Sequence, residues 1–198
     1  MMDKASTILN IAAGKFYPVD MAELEPAFLV NVDTMYYSNT AIDRIERELK
    51  AWNDIVTKSF NINADIFQFM ERTTIMFDRV CIYRFLEHVS MDKVLYFIYL
   101  LSTVTKPGAI IDVIVPNYEI LARMILNEIP LDGNFEAHNI QLTTELLNEP
   151  SCPHASIWTE ARAEHFFGLE GRFEVTECNV NYEFDGRDIY LRFLARRI

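Results

Sequence analysis

The carboxyl-terminal segment constrains the fold of this chain more than any other feature. Residues 173–184 read as one strand, and Asp185-Gly186 is a strong two-residue hairpin signal. Beyond it Ile189, Leu191, Phe193 and Ala195 alternate with polar or bulkier neighbours, as one strand with a single buried face requires. Upstream the pattern is different. Short, nearly continuous apolar runs are separated by stretches of helical spacing, the pattern of parallel strands covered on both sides. Together these predict an α/β protein: a doubly wound, mostly parallel sheet closed by a C-terminal antiparallel hairpin.

The runs can be followed in order. Thr7-Ile8-Leu9-Asn10-Ile11-Ala12 leads into Ala13-Gly14, and Phe28-Leu29-Val30-Asn31-Val32 ends in Asp33. Residues 41–58 carry Ile42, Ile45, Leu49, Trp52 and Ile55 at helical spacing with charges between them, predicting a surface helix. Residues 61–65 read as a short strand tip, and Phe77-Asp78-Arg79-Val80-Cys81-Ile82-Tyr83 as the next strand. Ser90 is placed as a helix N-cap with Asp92 in the first turn, before the stripe Val94, Leu95, Ile98 and Leu101. Thr105-Lys106-Pro107-Gly108 stops that helix, and residues 109–115 are apolar enough for a central strand. After Pro116-Asn117, Ile120, Leu121, Met124 and Ile125 predict another helix. From 128 to 165 the periodicity is lost, so a single domain over residues 1–198 is expected to carry a loop insertion there.

Composition sets limits on function. The formal net charge of -11 disfavours nonspecific nucleic-acid binding and anionic membrane surfaces, both of which need clustered Lys and Arg. The basic group Arg192, Arg196 and Arg197 is read as the alternating face of a strand. Three distant cysteines, Cys81, Cys152 and Cys178, form no C-x-x-C pair, signal neither zinc nor disulfides, and fit a reducing compartment. The apolar stretch near the amino terminus is too short for a signal segment or a membrane span, and a cytoplasmic location is expected.

Several stretches, taken in order, resemble the class I S-adenosylmethionine-dependent methyltransferases. Phe77-Asp78-Arg79-Val80, Leu86-Glu87-His88, Lys106-Pro107-Gly108-Ala109 and Val115-Pro116-Asn117 are similar to the family's fourth strand, Leu-Glu-His segment, Lys-Pro-Gly turn and fifth strand. Leu9-Asn10-Ile11 with Gly14, and Asn31-Val32-Asp33, resemble a branch of predicted methyltransferases with a short first crossover. The resemblance implies the Rossmann-like methyltransferase fold and S-adenosylmethionine as cofactor. It implies cofactor contacts from Asn10, Ala12, Gly14, Asp33, Met35, Asp65, Ile66, Tyr83 and Arg84. Asp33 would accept the ribose hydroxyls and Asp65 the adenine amino group. Asn10 stands where the family carries an acid, and Ala12 and Phe16 where its loop carries the first and third glycines.

His138, Asn139, Glu145, Glu149 and His154 are polar candidates for substrate contact within the irregular segment. His154, in Pro153-His154-Ala155-Ser156, is the candidate base for an acceptor hydroxyl or amine. Glu87-His88 is read as a loop-shaping segment. No ligand spacing pairs His138 with His154, so no metal is expected. The expected activity is methyl transfer to a small or sugar-like acceptor. A non-catalytic scaffold retaining the fold is the alternative, and a nicotinamide oxidoreductase is disfavoured by the lack of a G-x-G-x-x-G run.

Overall fold

The computed structural model describes residues 6–11, 27–33, 42–52, 57–126, 154–184 and 187–198. In chain order they form β1 (Thr7–Ile11), β2 (Phe28–Val32), α1 (Ile42–Lys50), β3 (Lys58–Ile62), α2 (Ile66–Arg72), β4 (Phe77–Tyr83) and a 3-10 turn (Leu86–His88). There follow α3 (Met91–Val104), β5 (Thr105–Pro116), α4 (Tyr118–Ile125), α5 (Glu160–Gly168), β6 (Phe173–Phe184) and β7 (Arg187–Arg197). The strands make one seven-stranded sheet in the order β3-β2-β1-β4-β5-β7-β6. Neighbours from β3 to β5 pair parallel, whereas β7 is antiparallel to both β5 and β6. This is the expected doubly wound sheet with its closing hairpin, although Asp185 and Gly186 lie outside the described residues.

The two faces of the sheet are chemically different. On one face Leu9, Ile11, Val30, Val32, Val80, Ile82, Ile111, Val113, Leu191 and Phe193 join the buried residues of α2, α3 and α5 in the main core. On the other face a polar row crosses the sheet at one register level. Asn61, Asn31, Asn10, Cys81 and Asp112 are successive partners from β3 to β5. Asn10 Nδ2 donates to Asn31 Oδ1 at 3.0 Å, and Asn31 Nδ2 donates to Asn61 Oδ1 at 2.9 Å and Ser59 Oγ at 3.1 Å. The fully buried Asp112 accepts from Arg79, Arg192 and Tyr83. Mutual hydrogen bonding makes such a buried row tolerable, because an unpaired amide or carboxylate there would lose its hydration without recompense. A signal was available: the fourth residue is asparagine in each of TILNI, FLVNV and KSFNI.

Several boundaries differ from those expected. The helix drawn over 41–58 ends at Lys50, and Lys58 already opens β3. Residues 61–65 are the end of β3 followed by a cap: Asp65 Oδ1 accepts from Gln68 N at 3.1 Å and starts α2, a helix that the sequence reading lacked. Ser90 stands at the N-cap of α3 but its side chain makes no capping bond; its hydroxyl engages Asp92. Lys106-Pro107-Gly108 does end the helix, yet as part of β5 and not as a turn before it. Phe77 pairs with Thr105 and Arg79 with Ile110, so Lys106 to Ala109 bulge opposite Asp78. Gly108 takes φ +82°, a conformation a Cβ would strain. Lys106 Nζ reaches Asp78 Oδ2 at 2.7 Å, and Asp78 Oδ2 also accepts from Thr7 N, tying β1, β4 and β5 together at their amino ends. The last part of the segment expected to be irregular is α5, capped by Thr159, whose side chain accepts from Arg162 N. Among the described residues no helix is long and apolar enough to cross a membrane.

Candidate functional site

In an open parallel sheet ligands bind beyond the carboxyl ends of the strands, where the strand order reverses. Here the reversal falls at β1 and β4. Ile11, Val32, Ile62 and Ile82 are level in register, so Asp33 and Tyr83 each stand one residue beyond that line. Asp33 is half-buried, with its backbone N donating to Ile62 O at 3.1 Å.

The other sequence candidates are distributed as follows. Asn10 is buried, its side-chain nitrogen donating to Asn31. Asp65 is exposed and caps α2, while Ile66 packs into the main core with Phe69 and Met70. The Tyr83 hydroxyl donates to Asp112 Oδ2 at 3.0 Å; burial and the nearby carboxylate push it well above the ordinary phenol range. Arg84 follows β4 with φ 54°, a left-handed conformation that costs a non-glycine residue about 1 kcal/mol. Its N donates to Ile114 O at 2.8 Å and its side chain is exposed. Ala12, Gly14, Met35, His138, Asn139, Glu145 and Glu149 lie outside the described residues.

Beyond the ends of β4 and β5 the chain gathers four further functional groups. The Leu86–His88 turn presents Glu87 and His88, and Tyr118 begins α4 immediately after Asn117. Asn117 accepts from Glu119 N and Ile120 N through Oδ1 and donates to Val180 O through Nδ2, which sets the direction of α4. His154 comes from far downstream and is held by hydrogen bonds made by its neighbours. Ala155 N and Ser156 N both donate to Glu87 O, at 2.7 and 3.0 Å. Ser156 Oγ donates to Leu86 O at 2.7 Å and accepts from Trp158 Nε1 at 2.9 Å. Replacing Ser156 with alanine strips both partners of a buried bond and is expected to cost about 1–3 kcal/mol in a urea unfolding titration.

Within this cluster Tyr118 Oη and His154 Nδ1 are 2.6 Å apart, and the rings of His88 and His154 meet edge to face at 4.8 Å. One ligand-capable atom from each of Glu87, His88 and His154 lies within 4.8 Å of the others. Glu87 is 1% exposed, and its Oε2 has no hydrogen-bond partner among the described residues. Burial pushes its carboxyl up to about 8, opposed by its own backbone N–H and the charge of Arg84. Burial also raises Tyr118 to about 12, and the charge of Glu87 adds to this. The structure therefore joins the sequence candidate His154 to Glu87 and His88, which the sequence reading gave a loop-shaping role, and to Tyr118, which it missed. A tyrosine directly after the capping Asn117 of a central strand was the available signal for Tyr118.

The geometry has clear counterparts among solved structures. The N-methyltransferase NodS from Bradyrhizobium japonicum WM9 superposes with a TM-score of 0.55 at 18% identity, covering 98% of this chain and 87% of that one. A SAM-dependent methyltransferase from Methanosarcina mazei gives a TM-score of 0.61 at 16% identity, over 100% of this chain and 94% of that one. This chain has the class I methyltransferase fold. The Burkholderia thailandensis 1,6-didemethyltoxoflavin-N1-methyltransferase, with its substrate and S-adenosylhomocysteine bound, shares that fold at a TM-score of 0.59 and 13% identity, over 98% of this chain and 72% of that one. Neither a protein-family model nor a curated protein sequence matches the chain.

Proposed function

We propose that this protein transfers a methyl group from S-adenosylmethionine to a small acceptor. The observation that carries the reading is the placement of two sets of polar groups at one end of a methyltransferase sheet. Asp33 stands at the end of β2, and Glu87, His88, Tyr118 and His154 stand beyond β4 and β5. The described residues fit the cofactor in chemistry. A half-buried carboxylate at the second strand is suited to two vicinal hydroxyls, and Asp65 keeps one carboxylate oxygen outside its capping bond for an amino group. The neighbouring folds include one with S-adenosylhomocysteine and 1,6-didemethyltoxoflavin bound, which supports the same pairing here.

When bound, the cofactor supplies an electrophilic methyl on a sulfonium that is its own leaving group. The work left to the chain is positioning and, for an acceptor hydroxyl or amine, holding a proton. His154 is the residue proposed for the proton. His154 Nδ1 and Tyr118 Oη share a hydrogen bond of 2.6 Å, which fixes the orientation of the imidazole. Tyr118 is then a positioning residue. The net charge of -11 and the small acceptors of such neighbours favour a small, neutral or sugar-like acceptor over a nucleic acid.

Calorimetric titration with S-adenosylmethionine tests the proposal. Binding is expected, and Asp33→Ala is expected to weaken it by about 1–3 kcal/mol, the range for hydrogen bonds to a charged group. No binding at millimolar ligand would overturn the reading in favour of a scaffold. An unchanged affinity in Asp33→Ala would remove that residue from the site.

A further inference from the structure

We propose that Glu87, His88 and His154 form a binding site for one divalent first-row transition-metal ion. The three residues come from two segments far apart in sequence, and their ligand-capable atoms all lie within 4.8 Å of one another. Nitrogen and oxygen ligands about 2.0–2.2 Å from one ion are about 3.3–3.6 Å apart in a tetrahedral arrangement.

A second observation points the same way. Glu87 Oε2 is buried, has no hydrogen-bond partner among the described residues, and belongs to the carboxylate of this trio. An acceptor atom removed from water with nothing to bind is costly, and a cation gives that atom a partner. The supporting groups are also those a metal site uses. Tyr118 holds His154 Nδ1, and the Glu87 carbonyl is fixed by two backbone N–H groups of the segment that carries His154.

Two imidazoles and one carboxylate suit zinc, manganese or iron better than magnesium or calcium, which prefer all-oxygen sets. Three protein ligands also leave positions open for an acceptor oxygen. A nitrogen lone pair given to a metal cannot also take a proton, so metal ligation by His154 and the proton-accepting role proposed for it above are alternatives, the second belonging to the metal-free protein. The absence of ligand spacing along the chain is no obstacle, because the trio is assembled by the fold.

The test uses full-length protein stripped with a chelator and titrated calorimetrically with zinc chloride, and separately with magnesium chloride. Bound zinc is counted by elemental analysis. A single tight zinc equivalent is expected, with magnesium much weaker. Glu87→Gln and His88→Gln are each expected to weaken zinc binding by about tenfold or more. His165→Gln, on the exposed face of α5, is expected to leave it unchanged. Circular dichroism confirms that each variant is folded, and half-buried His88 is the safer substitution. Failure of zinc to bind, or equal binding in both ligand variants, would overturn the proposal. S-adenosylmethionine affinity measured on the same metal-free samples reports on the cofactor separately, so the two proposals can fail independently.

Discussion

Asp112→Asn is expected to destabilise the protein by about 3–5 kcal/mol, the range for removing one partner of a buried ion pair. Asp112 has no exposed side-chain surface. Its Oδ2 accepts from Arg79 at 2.6 Å, from Arg192 at 2.9 Å and from Tyr83 at 3.0 Å, while Oδ1 accepts from Arg192 Nε at 3.0 Å. Burial alone would raise its carboxyl, but Arg192 and then Arg79 outweigh this and hold it below the ordinary range. The amide cannot neutralise two guanidiniums, which are left facing each other across the former carboxylate. They are each about a quarter exposed, so water relieves part of that cost.

The pH dependence has a definite sign. Because the folded carboxyl lies below its unfolded value of about 3.9, the folded state binds fewer protons than the unfolded state over the pH range between the two values. The stability it contributes is complete above the unfolded value and is lost as pH falls through the folded one. Asp112→Asn should therefore flatten the acid limb of the stability profile, measured as urea midpoint against pH. A variant replacing Arg79, Asp112 and Arg192 together with apolar residues of similar volume should recover much of the loss. A loss under about 1 kcal/mol in Asp112→Asn would show that the network is surface-like in its energetics.

Trp158→Ala is expected to cost about 3–5 kcal/mol, as for truncation of a fully buried aromatic. Trp158 is completely buried and packs with Phe166, Phe167 and Phe193 at ring separations of 6.0 to 6.4 Å. It also bridges packing to the site. Its Nε1 donates to Ser156 Oγ, and its carbonyl accepts from Tyr118 N at 3.4 Å. Removal therefore empties core volume and loosens the segment that carries His154. Thermal unfolding gives the first effect. Trp158→Phe, which keeps most of the volume but loses the N–H, separates the second: it should cost less stability yet still weaken ligand binding at the His154 cluster. Equal stability losses for the two variants would mean that the hydrogen bond, not the packing, dominates.

Much of the fold was legible in the residues themselves. Parallel central strands are buried on both faces, so runs such as those of β1, β2 and β5 stand out as continuous apolar stretches. The closing hairpin announced itself through period-two alternation, and Leu191, Phe193 and Ala195 are indeed all buried. Boundaries were harder to read. The change from helix to strand around Lys106-Pro107-Gly108 depends on a bulge opposite Asp78, a pairing that no local pattern encodes. α2 was hidden because its N-cap, Asp65, had the look of a cofactor contact.

For the site, the sequence offered Asp33 through the family resemblance and His154 as a titratable residue in the irregular segment. It could not group Glu87, His88, Tyr118 and His154. Hydrophobic periodicity acts over a few residues and is written along the chain, so most strands and the longer helices were legible locally, while α2 and α5 were not. Proximity between distant segments arises only when the sheet closes and bonds such as Ala155 N to Glu87 O form. The tertiary structure alone therefore decided that a buried carboxylate, two imidazoles and a phenol share one corner at the ends of β4 and β5.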